Sequence, residues 1–423
     1  MRPSFVDEIF IHSDDHRVLY LNPVAPDWIT INENYRPIFN LIDGTCDEED
    51  IYYCINNNFP KEKEILIPQI KEILYSSNIF KTNYKPISKH NLRIDKPKNI
   101  CLTLTDNCNL HCVYCYAEER KKTKNSTFEE WYRYVTSIIN FVGSPVFTYT
   151  GGEPLTVPYI LKLAEYTKKQ QCENILLTNG TLITNENVEK ITKAFDLVKI
   201  SLDSIDETIS KDLRGSGIVE KVKNAFALLK NAGCNVQIMA TVTAKSLNNL
   251  KDFFIYFDTQ VIFQPLYSIG RARTADGLGI TGEQYYNALT KDGKFSFLHS
   301  YIDSIKSFKN NPLKRCSMAN DEISIDQNGN IYPCHMMHYE KFICGNLNDQ
   351  SIEDIYLNSP LLEKLRMINV DNLPQCKVCV FRNFCGGACR ARNDIMKFGI
   401  EEHNDFCKFE QKEILDALMY SYG

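Results

Sequence analysis

Three cysteines, Cys108, Cys112 and Cys115, lie within eight residues, in a polar stretch that begins at Thr105-Asp106-Asn107. Thiols spaced this closely in a loop are typical of metal ligands rather than of core side chains. A [4Fe-4S] cluster accepts four thiolates, so three from one loop leave one iron free to hold a small molecule with nitrogen and oxygen donors. A zinc ion that takes a fourth ligand such as His111 is the alternative.

Length and charge limit the classes of protein. With 423 residues the chain has room for about three domains of ~150 residues. A net charge of only -5 argues against nucleic acid or a membrane surface as a partner. A short basic run is interpreted as a solvated face, with docking of an acidic electron donor as the alternative: Arg120, Lys121, Lys122 and Lys124.

The cysteine content fits a reducing compartment. No apolar run approaches the ~18 residues that cross a bilayer, and acidic residues stand near the N-terminus where a signal sequence would be apolar. We therefore expect a cytoplasmic protein. Because disulfides are not maintained there, the clustered members of the 16 cysteines are predicted to be metal ligands.

Strand-like and helical segments alternate between residues 99 and 270. Six strand-like runs are expected at 100–105, 146–150, 174–177, 197–202, 236–242 and 261–266. Such alternation predicts a parallel sheet with right-handed crossovers, curled into a partial barrel. Ligands of these sheets collect at the carboxyl ends of the strands, so the residues that follow each strand are the candidates for a site.

Four motifs follow successive predicted strands. The cysteine loop follows the first strand, Gly151-Gly152-Glu153-Pro154 the second, Thr178-Asn179-Gly180 the third and Ser201-Leu202-Asp203-Ser204 the fourth. With Tyr114 before the last thiol, the C-x3-C-x2-C spacing resembles the signature of the radical S-adenosylmethionine (SAM) superfamily. The later motifs resemble that family's GGEP, TNG and SLDG, with Ser204 in place of the last glycine.

The resemblance implies both cofactor and chemistry. Cys108, Cys112 and Cys115 would hold a [4Fe-4S] cluster whose fourth iron chelates SAM, and reductive cleavage of SAM would give a 5'-deoxyadenosyl radical. The implied SAM contacts are the backbone of Gly151 and Gly152, Glu153 at the ammonium, Ser201 and Asp203 at the ribose and polar edge, Arg214 at the carboxylate, and Tyr114 and Leu266 beside the adenine. For Arg214 a surface salt bridge is the alternative.

A second set of cysteines follows residue 312. Tyr332-Pro333-Cys334 comes after an Asn328-Gly329 hairpin turn, and the spacing Cys376-x2-Cys379-x5-Cys385-x3-Cys389 precedes Cys407. Together with Cys316 these are seven cysteines, and their intervals require two metal centres. Zinc ribbons are the alternative to iron-sulfur centres. The pattern resembles the SPASM domain.

The SPASM resemblance implies crossed ligation of two auxiliary [4Fe-4S] clusters. Cys376, Cys379, Cys385 and Cys407 would hold the second cluster, and the first would have only three ligands: Cys316, Cys334 and Cys389. Cys344 could be the fourth, although we favour a small buried thiol there. An open iron could instead bind a substrate thiolate.

His335 distinguishes among relatives. Sulfatase-maturing relatives carry an aspartate base after the equivalent cysteine, whereas Cys334-His335 resembles the peptide thioether maturases. His335 is predicted to position substrate or act as a base, with a hydrogen-bonded structural role as the alternative.

The first 95 residues predict a separate module. Strand-like runs at 5–12, 18–22 and 28–31 precede three helices, of which the second opens with a capping box at Thr45-Cys46-Asp47-Glu48 and the third has Pro68 in its first turn. The order is that of a winged helix. Three motifs are similar to the peptide-chaperone domain of pyrroloquinoline quinone biosynthesis: Leu21-Asn22-Pro23, Ile31-Asn32-Glu33-Asn34 and Leu41-Ile42-Asp43-Gly44-Thr45. That resemblance implies recognition of a leader peptide by β-augmentation. A docking cap without ligand and a DNA-binding winged helix are alternatives, the latter disfavoured by the acidic second helix.

These features together predict an α/β protein: a winged-helix-like α+β domain at 1–95, a six-stranded partial TIM-type barrel at 96–275, a helical bridge at 276–311 and a SPASM domain at 312–423 with a terminal helix packed on the barrel. The resemblances imply three [4Fe-4S] clusters, SAM, a ribosomal precursor peptide as substrate and a reductant such as flavodoxin or ferredoxin. The expected reaction is thioether formation to cysteine. Carbon-carbon or carbon-oxygen crosslinking, formylglycine formation, and an electron-transfer scaffold without SAM chemistry are alternatives.

Overall fold

The computed structural model describes residues 2–84, 96–119, 126–259, 261–290, 305–309, 311–395 and 399–420. The basic run at 120–124 lies outside these ranges, as does part of the predicted bridge at 276–311.

Twelve strands are present in the described ranges. Their bounds are β1 Phe10–Ser13, β2 Arg17–Asn22, β3 Asp27–Asn32, β4 Asn99–Thr103, β5 Val146–Thr150, β6 Glu173–Thr178, β7 Leu197–Ser201, β8 Val236–Val242, β9 Val261–Pro265, β10 Glu322–Ile325, β11 Asn330–Tyr332 and β12 Gly345–Asn346.

The α-helices lie mainly between the strands. Their bounds are Arg36–Phe39, Glu48–Asn58, Lys63–Ser76, Phe128–Val142, Ile160–Lys169, Val188–Ala194, Glu207–Arg214, Ile218–Asn231, Asp252–Tyr256, Gly282–Thr290, Ile352–Asn358, Pro360–Arg366, Pro374–Lys377, Arg382–Cys385, Arg390–Ile395 and Cys407–Tyr420.

The central sheet is mostly parallel. Strands β4 to β9 pair in sequence order, each parallel to the next, at the places where the sequence predicted six strands. The sheet does not end there, because β10 pairs in parallel with β4 and continues through antiparallel β11 and β12. The predicted six-stranded unit is therefore part of a nine-stranded sheet.

The helices cover this sheet with amphipathic faces. The helix Phe128–Val142 begins at a capping box formed by Thr127 and Glu130. It buries Trp131, Val135 and Ile138 at helical spacing in the main core. The crossovers thereby place every strand of β4 to β9 in one orientation, so their carboxyl ends meet at one edge.

The N-terminal sheet lies between two layers. Strands β1, β2 and β3 are antiparallel in that order. One face, with Val18 and Tyr20, packs on the helices of the same module, while Leu19 and Leu21 on the opposite face pack with the terminal helix through residues such as Leu418. The prediction that the terminal helix packs on the barrel was incomplete, because the apolar second face of β2 and β3 also had to be buried.

Two local predictions in this module were wrong. The second helix is capped by Asp47, whose carboxylate accepts hydrogen bonds from the helix backbone. The Asp50 carboxylate accepts from the backbone N–H of Asp47 and completes the capping box, whereas the Thr45 hydroxyl donates to Asp43. Pro68 lies inside the helix Lys63–Ser76 and not in its first turn. The buried stripe that begins at Leu66 extends the helix before the proline, which shows that apolar burial outweighs the lost backbone hydrogen bond.

No helix within the described residues is long and apolar enough to cross a membrane.

Replacing Leu418 tests the packing of the terminal helix on the N-terminal sheet. Leu418 is fully buried between them, so Leu418→Ala is expected to lower the free energy of unfolding by about 2–5 kcal/mol. Urea unfolding of the anaerobic, cluster-loaded protein measures this. Ile255→Ala, at a side chain that is 82% exposed, is the control and should change little. Equal effects of the two variants would contradict the packing.

The terminal helix also predicts a pH dependence. Burial, and then the charge of Glu410, raise the pKa of Glu413 to about 8. The folded state thus keeps a proton that the unfolded chain releases, so stability falls as pH rises from about 4.5 to about 8. Glu413→Gln removes the ionisable group, and urea unfolding should show it gaining stability over the parent across that window. A pH-independent difference between the two proteins would refute the assignment.

Candidate functional site

The carboxyl ends of the parallel strands surround a cavity of about 260 Å³. Residues from the cysteine loop, from the ends of β5, β7 and β9, and from the hairpin of β10 and β11 line it together. The predicted site residues on its wall are Cys108, Cys112, Tyr114, Cys115, Gly151, Gly152, Ser201, Arg214, Leu266 and His335. Glu153 and Asp203 are buried at 0% and 1% exposure and are not among the lining residues.

The two glycines after β5 fit against the cysteine loop. A Cβ on Gly151 would lie 2.3 Å from the Thr105 carbonyl oxygen, and one on Gly152 would lie 2.3 Å from that of Asn107. The Gly152 N–H donates to the Thr105 oxygen at 2.7 Å. Only glycine permits this approach, so the motif fixes the loop that carries the thiols.

Glu153 joins two of the motifs. Its carboxylate accepts from the Thr178 hydroxyl and the Asn179 N–H, each at 2.8 Å, and from the Leu155 N–H at 3.0 Å. Burial raises the pKa of Glu153 even though these donors oppose the shift. Asn179 in turn donates to Asn109 at 2.9 Å, within the cysteine loop. Glu153 thus connects the motif after β5 to the loop after β6. Asn179 connects that loop in turn to the loop that carries the thiols.

Asp203 holds Arg214 and Tyr114 in place. The Arg214 guanidinium donates to both carboxylate oxygens, at 2.5 and 3.0 Å, and the Thr241 N–H donates at 2.9 Å. The Tyr114 hydroxyl also donates to Asp203, and burial raises the pKa of Tyr114 well above its ordinary value, which keeps the phenol a donor. Arg214 is therefore not a surface salt bridge, since both side chains of the pair are buried. Asp203, which was expected to contact the ribose of SAM, thus accepts hydrogen bonds from donors of the protein itself.

The thiols of the first loop suit a cluster. Burial raises the pKa of Cys108 and of Cys112, and each thiol lies within the field of Cys115. Such thiols ionise readily only beside a metal centre. His111, the alternative zinc ligand, contacts the Arg271 guanidinium at 2.6 Å. Within the described ranges, no three or more side chains of His, Cys, Asp or Glu are placed so that together they could bind one metal ion.

The later cysteines separate into two groups. Four of them line a small cavity of about 60 Å³: Cys376, Cys379, Cys385 and Cys407. Burial is the largest cause that raises the pKa of Cys334. The charges of Glu322, Cys316 and Cys389 raise the same pKa further. Cys316, Cys334 and Cys389 are therefore near one another in the fold.

Cys344 lies apart from both groups. Burial raises its pKa to about 12, and its Sγ donates to the Phe342 carbonyl at 3.4 Å. Its charged neighbour is Arg366.

Sequence reasoning missed two acidic residues beside the auxiliary cysteines. Glu322 accepts from the His335 ring at 2.6 Å, and Glu410 lies on the wall of the four-cysteine cavity, where it pairs with Arg392. The sequence contains no direct signal for Glu322, because a two-residue turn at Asn328-Gly329 would set Ile323 opposite Cys334, whereas the observed register differs by one residue.

Two family models match the chain at these places. The radical SAM superfamily model matches residues 102–252, and a model of an iron-sulfur cluster-binding domain, SPASM, matches residues 316–380. The chain contains a radical SAM domain and a SPASM domain. It is a radical SAM enzyme, and [4Fe-4S] clusters and SAM are its cofactors. The zinc and scaffold alternatives are thereby set aside.

Whole-chain comparisons agree with these domains. The chain is similar to an AdoMet-dependent heme synthase of Methanosarcina barkeri, 24% identical, over 70% of this chain and 92% of the relative. It is also similar to the subtilosin biosynthesis protein AlbA of Bacillus subtilis, 25% identical, over 75% and 72% of the two chains. The structure of Streptococcus suis SuiB bound to the precursor peptide SuiA aligns with a TM-score of 0.58 at 17% identity, over 96% of this chain and 100% of SuiB, and shows the shared fold.

Replacing Asp203 tests its hold on Arg214. Asp203→Asn leaves the buried guanidinium without its counter-charge, so the free energy of unfolding should fall by about 3–5 kcal/mol. We also expect the dissociation constant of SAM to rise at least tenfold, or about 1.4 kcal/mol. Equilibrium binding and urea unfolding measure both. Asp212→Asn, in the exposed pair with Lys245, is the matched control, and equal effects of the two variants would refute the role.

Proposed function

We propose that this radical SAM enzyme modifies a ribosomally synthesised precursor peptide by forming thioether crosslinks to its cysteines. The observation that carries the proposal is one shared cavity. The cysteine loop, Arg214 and His335, which follows Cys334, all line it. A substrate held there would be close to both the radical source and the first auxiliary group. AlbA, which acts in subtilosin biosynthesis, supports a peptide substrate.

The residues present fit the cofactors. Cys108, Cys112 and Cys115 would hold the SAM cluster, while the two later groups of cysteines would hold auxiliary clusters. When bound, these groups supply a 5'-deoxyadenosyl radical and an acceptor for one electron. Ser201, Arg214 and Leu266 line the space for SAM. Asp203 holds Arg214 from beneath, and Glu153 holds the loop at Thr178 and Asn179.

Thioether formation requires the loss of two hydrogens from the peptide. One leaves as an atom from carbon to the radical, and the other leaves the thiol as a proton, with one electron, as the carbon-sulfur bond forms. His335 is exposed to the cavity and bonded to Glu322, which suits it to receive that proton. Carbon-carbon and carbon-oxygen crosslinking have the same hydrogen balance. Formylglycine formation is disfavoured, since the base position holds His335 in place of aspartate.

The N-terminal module would bind the leader of that peptide. β1 is an edge strand that pairs with β2. The Asp14 N–H donates to the Arg17 carbonyl, so alternation along the strand directs the N–H groups of Ile11 and Ser13 away from β2. A groove of about 330 Å³, lined by Phe5, Ile11, Tyr20 and Phe39 among others, lies beside this edge. A leader that adds to β1 would place apolar side chains there.

The domain limits are proposed on the same basis: leader recognition at 1–95, radical SAM chemistry at 96–275, a bridge at 276–311 and the auxiliary clusters at 312–423. A flavodoxin- or ferredoxin-type reductant would supply the electron that cleaves SAM.

Co-expression with a short open reading frame that neighbours the gene tests the proposed reaction. Mass spectrometry should show a loss of two hydrogens per crosslink, together with the disappearance of free thiols. Cys108→Ala is the control and should abolish both this change and the formation of 5'-deoxyadenosine. A mass loss with all thiols still reactive would favour a carbon-carbon or carbon-oxygen crosslink. An unmodified peptide with active SAM cleavage would contradict the assignment of that substrate.

A single substitution tests leader binding better than deletion of the module, which would expose the apolar residues of the terminal helix that pack on it, Ile414 and Leu418. Ile11→Pro removes an outward N–H from the edge strand, whereas Ile11→Ala keeps it. We expect Ile11→Pro to weaken leader binding at least tenfold and to lower modification, with SAM cleavage in the absence of peptide unchanged. Fluorescence anisotropy of a labelled leader measures binding, and equal binding by the two variants would refute strand addition to β1.

A further inference from the structure

The first auxiliary group has three cysteines within the described ranges: Cys316, Cys334 and Cys389. A [4Fe-4S] cluster presents four irons, and each iron takes a ligand outside the core. Cys344 lies beside Phe342 and Arg366 instead. The fourth iron must therefore take an exogenous ligand or a protein group other than cysteine.

The start of β10 places one carboxylate at this group. β10 begins at Glu322, and β11 ends at Tyr332, two residues before Cys334. The backbone N–H of His335, the residue that follows Cys334, donates to the Glu322 carboxylate at 3.1 Å. The Glu322 side chain thus lies beside the segment that carries the Cys334 thiol.

Neighbours of the ligands hold the carboxylate there. One oxygen accepts from the His335 N–H at 3.1 Å and from its ring at 2.6 Å, and the other accepts from the Ser317 hydroxyl at 3.3 Å. Ser317 follows Cys316, and His335 follows Cys334. The backbone N–H of Glu322 also donates to the Ser317 carbonyl at 3.0 Å. Glu322 is therefore fixed between two of the three cysteines.

A carboxylate suits the fourth position of this group. An iron-sulfur core is cationic and takes four anionic ligands at a site of four cysteines. An oxygen of a carboxylate is also an anionic donor for iron, so Glu322 can take the place of a fourth thiolate beside the three cysteines.

We propose that Glu322 is the fourth ligand of the first auxiliary cluster in the substrate-free enzyme, through the oxygen that faces Ser317. The inference rests on the proposed assignment of that cluster to Cys316, Cys334 and Cys389. A substrate thiol that reached this iron would have to displace the carboxylate. Glu322 would thus have a role separate from that of a hydrogen-bond partner for His335.

Mössbauer spectroscopy of the ⁵⁷Fe-loaded protein tests the ligand. The parent carries Cys108→Ala, Cys112→Ala and Cys115→Ala, which remove the SAM cluster and its own unusual iron. We expect the parent to show one iron site with an oxygen-ligand signature, and Glu322→Cys to convert it to a sulfur-ligated site. Asp321→Cys is the matched control, because Asp321 is the adjacent residue and bonds to Asn99 at 2.6 Å. It should leave the site unchanged.

The outcomes separate the hypotheses. An oxygen-ligated site that persists in Glu322→Cys overturns the proposal, as does its absence from the parent. His335→Ala removes the hydrogen bond from the ring to Glu322 and keeps the one from the backbone N–H, so the oxygen-ligated site should remain; its loss would overturn ligation by Glu322 as a role separate from that of a partner for His335. If Glu322→Cys fails to load iron, parent protein labelled with [¹³C]glutamate decides the question: a ¹³C hyperfine coupling supports ligation, and its absence overturns it. Unchanged iron content in Cys334→Ala would instead refute the cluster assignment itself.

Discussion

The parallel pairing of β10 with β4 is the constraint on which the catalytic arrangement depends. β4 leads directly into the loop of Cys108, and β10 begins the hairpin that ends at Cys334. Because the two strands are neighbours in one sheet, their following residues meet at the same edge. The loop of Cys108 and the segment of Cys334 are therefore held together by backbone hydrogen bonds rather than by a domain interface that could shift. His335 reaches the cavity wall for this reason.

Beneath the cavity, several motif residues stabilise one another. Gly152 admits the cysteine loop, Glu153 bonds to the loop after β6, and Asp203 holds Arg214 and Tyr114. The contacts of Glu153 and Asp203 are buried and charge-assisted. Each is therefore strong, and removing one of its partners is costly. The site is thus preorganised by contacts among its own motifs, which leaves Arg214 and the thiols oriented toward the cavity.

The N-terminal module is part of the same body. Its sheet is buried on both faces, by its own helices on one side and by the terminal helix on the other, where the Thr30 hydroxyl donates to the Leu418 carbonyl at 2.8 Å. Asn383, near the second group of cysteines, donates to the Pro23 carbonyl at 2.6 Å. A peptide added to the edge of β1 would accordingly be held at a fixed position relative to the auxiliary groups.

The sequence alone determined the chemistry of the site and the order of the parallel strands. Thiols at C-x3-C-x2-C spacing indicate a metal centre, and the resemblance to the radical SAM superfamily implies a cluster there. Short apolar runs that alternate with amphipathic helices fold as parallel strands with motifs at their ends. Only the tertiary structure decided what depends on distant pairing: that β10 extends the sheet, that Asp203 faces Arg214, and that the terminal helix covers β2 and β3. Local spacing carries no information about which strand edge or apolar face will be a neighbour. The place of Glu322 was likewise decided by the tertiary structure, because its contacts with Ser317 and His335 and the approach of Cys389 depend on the fold.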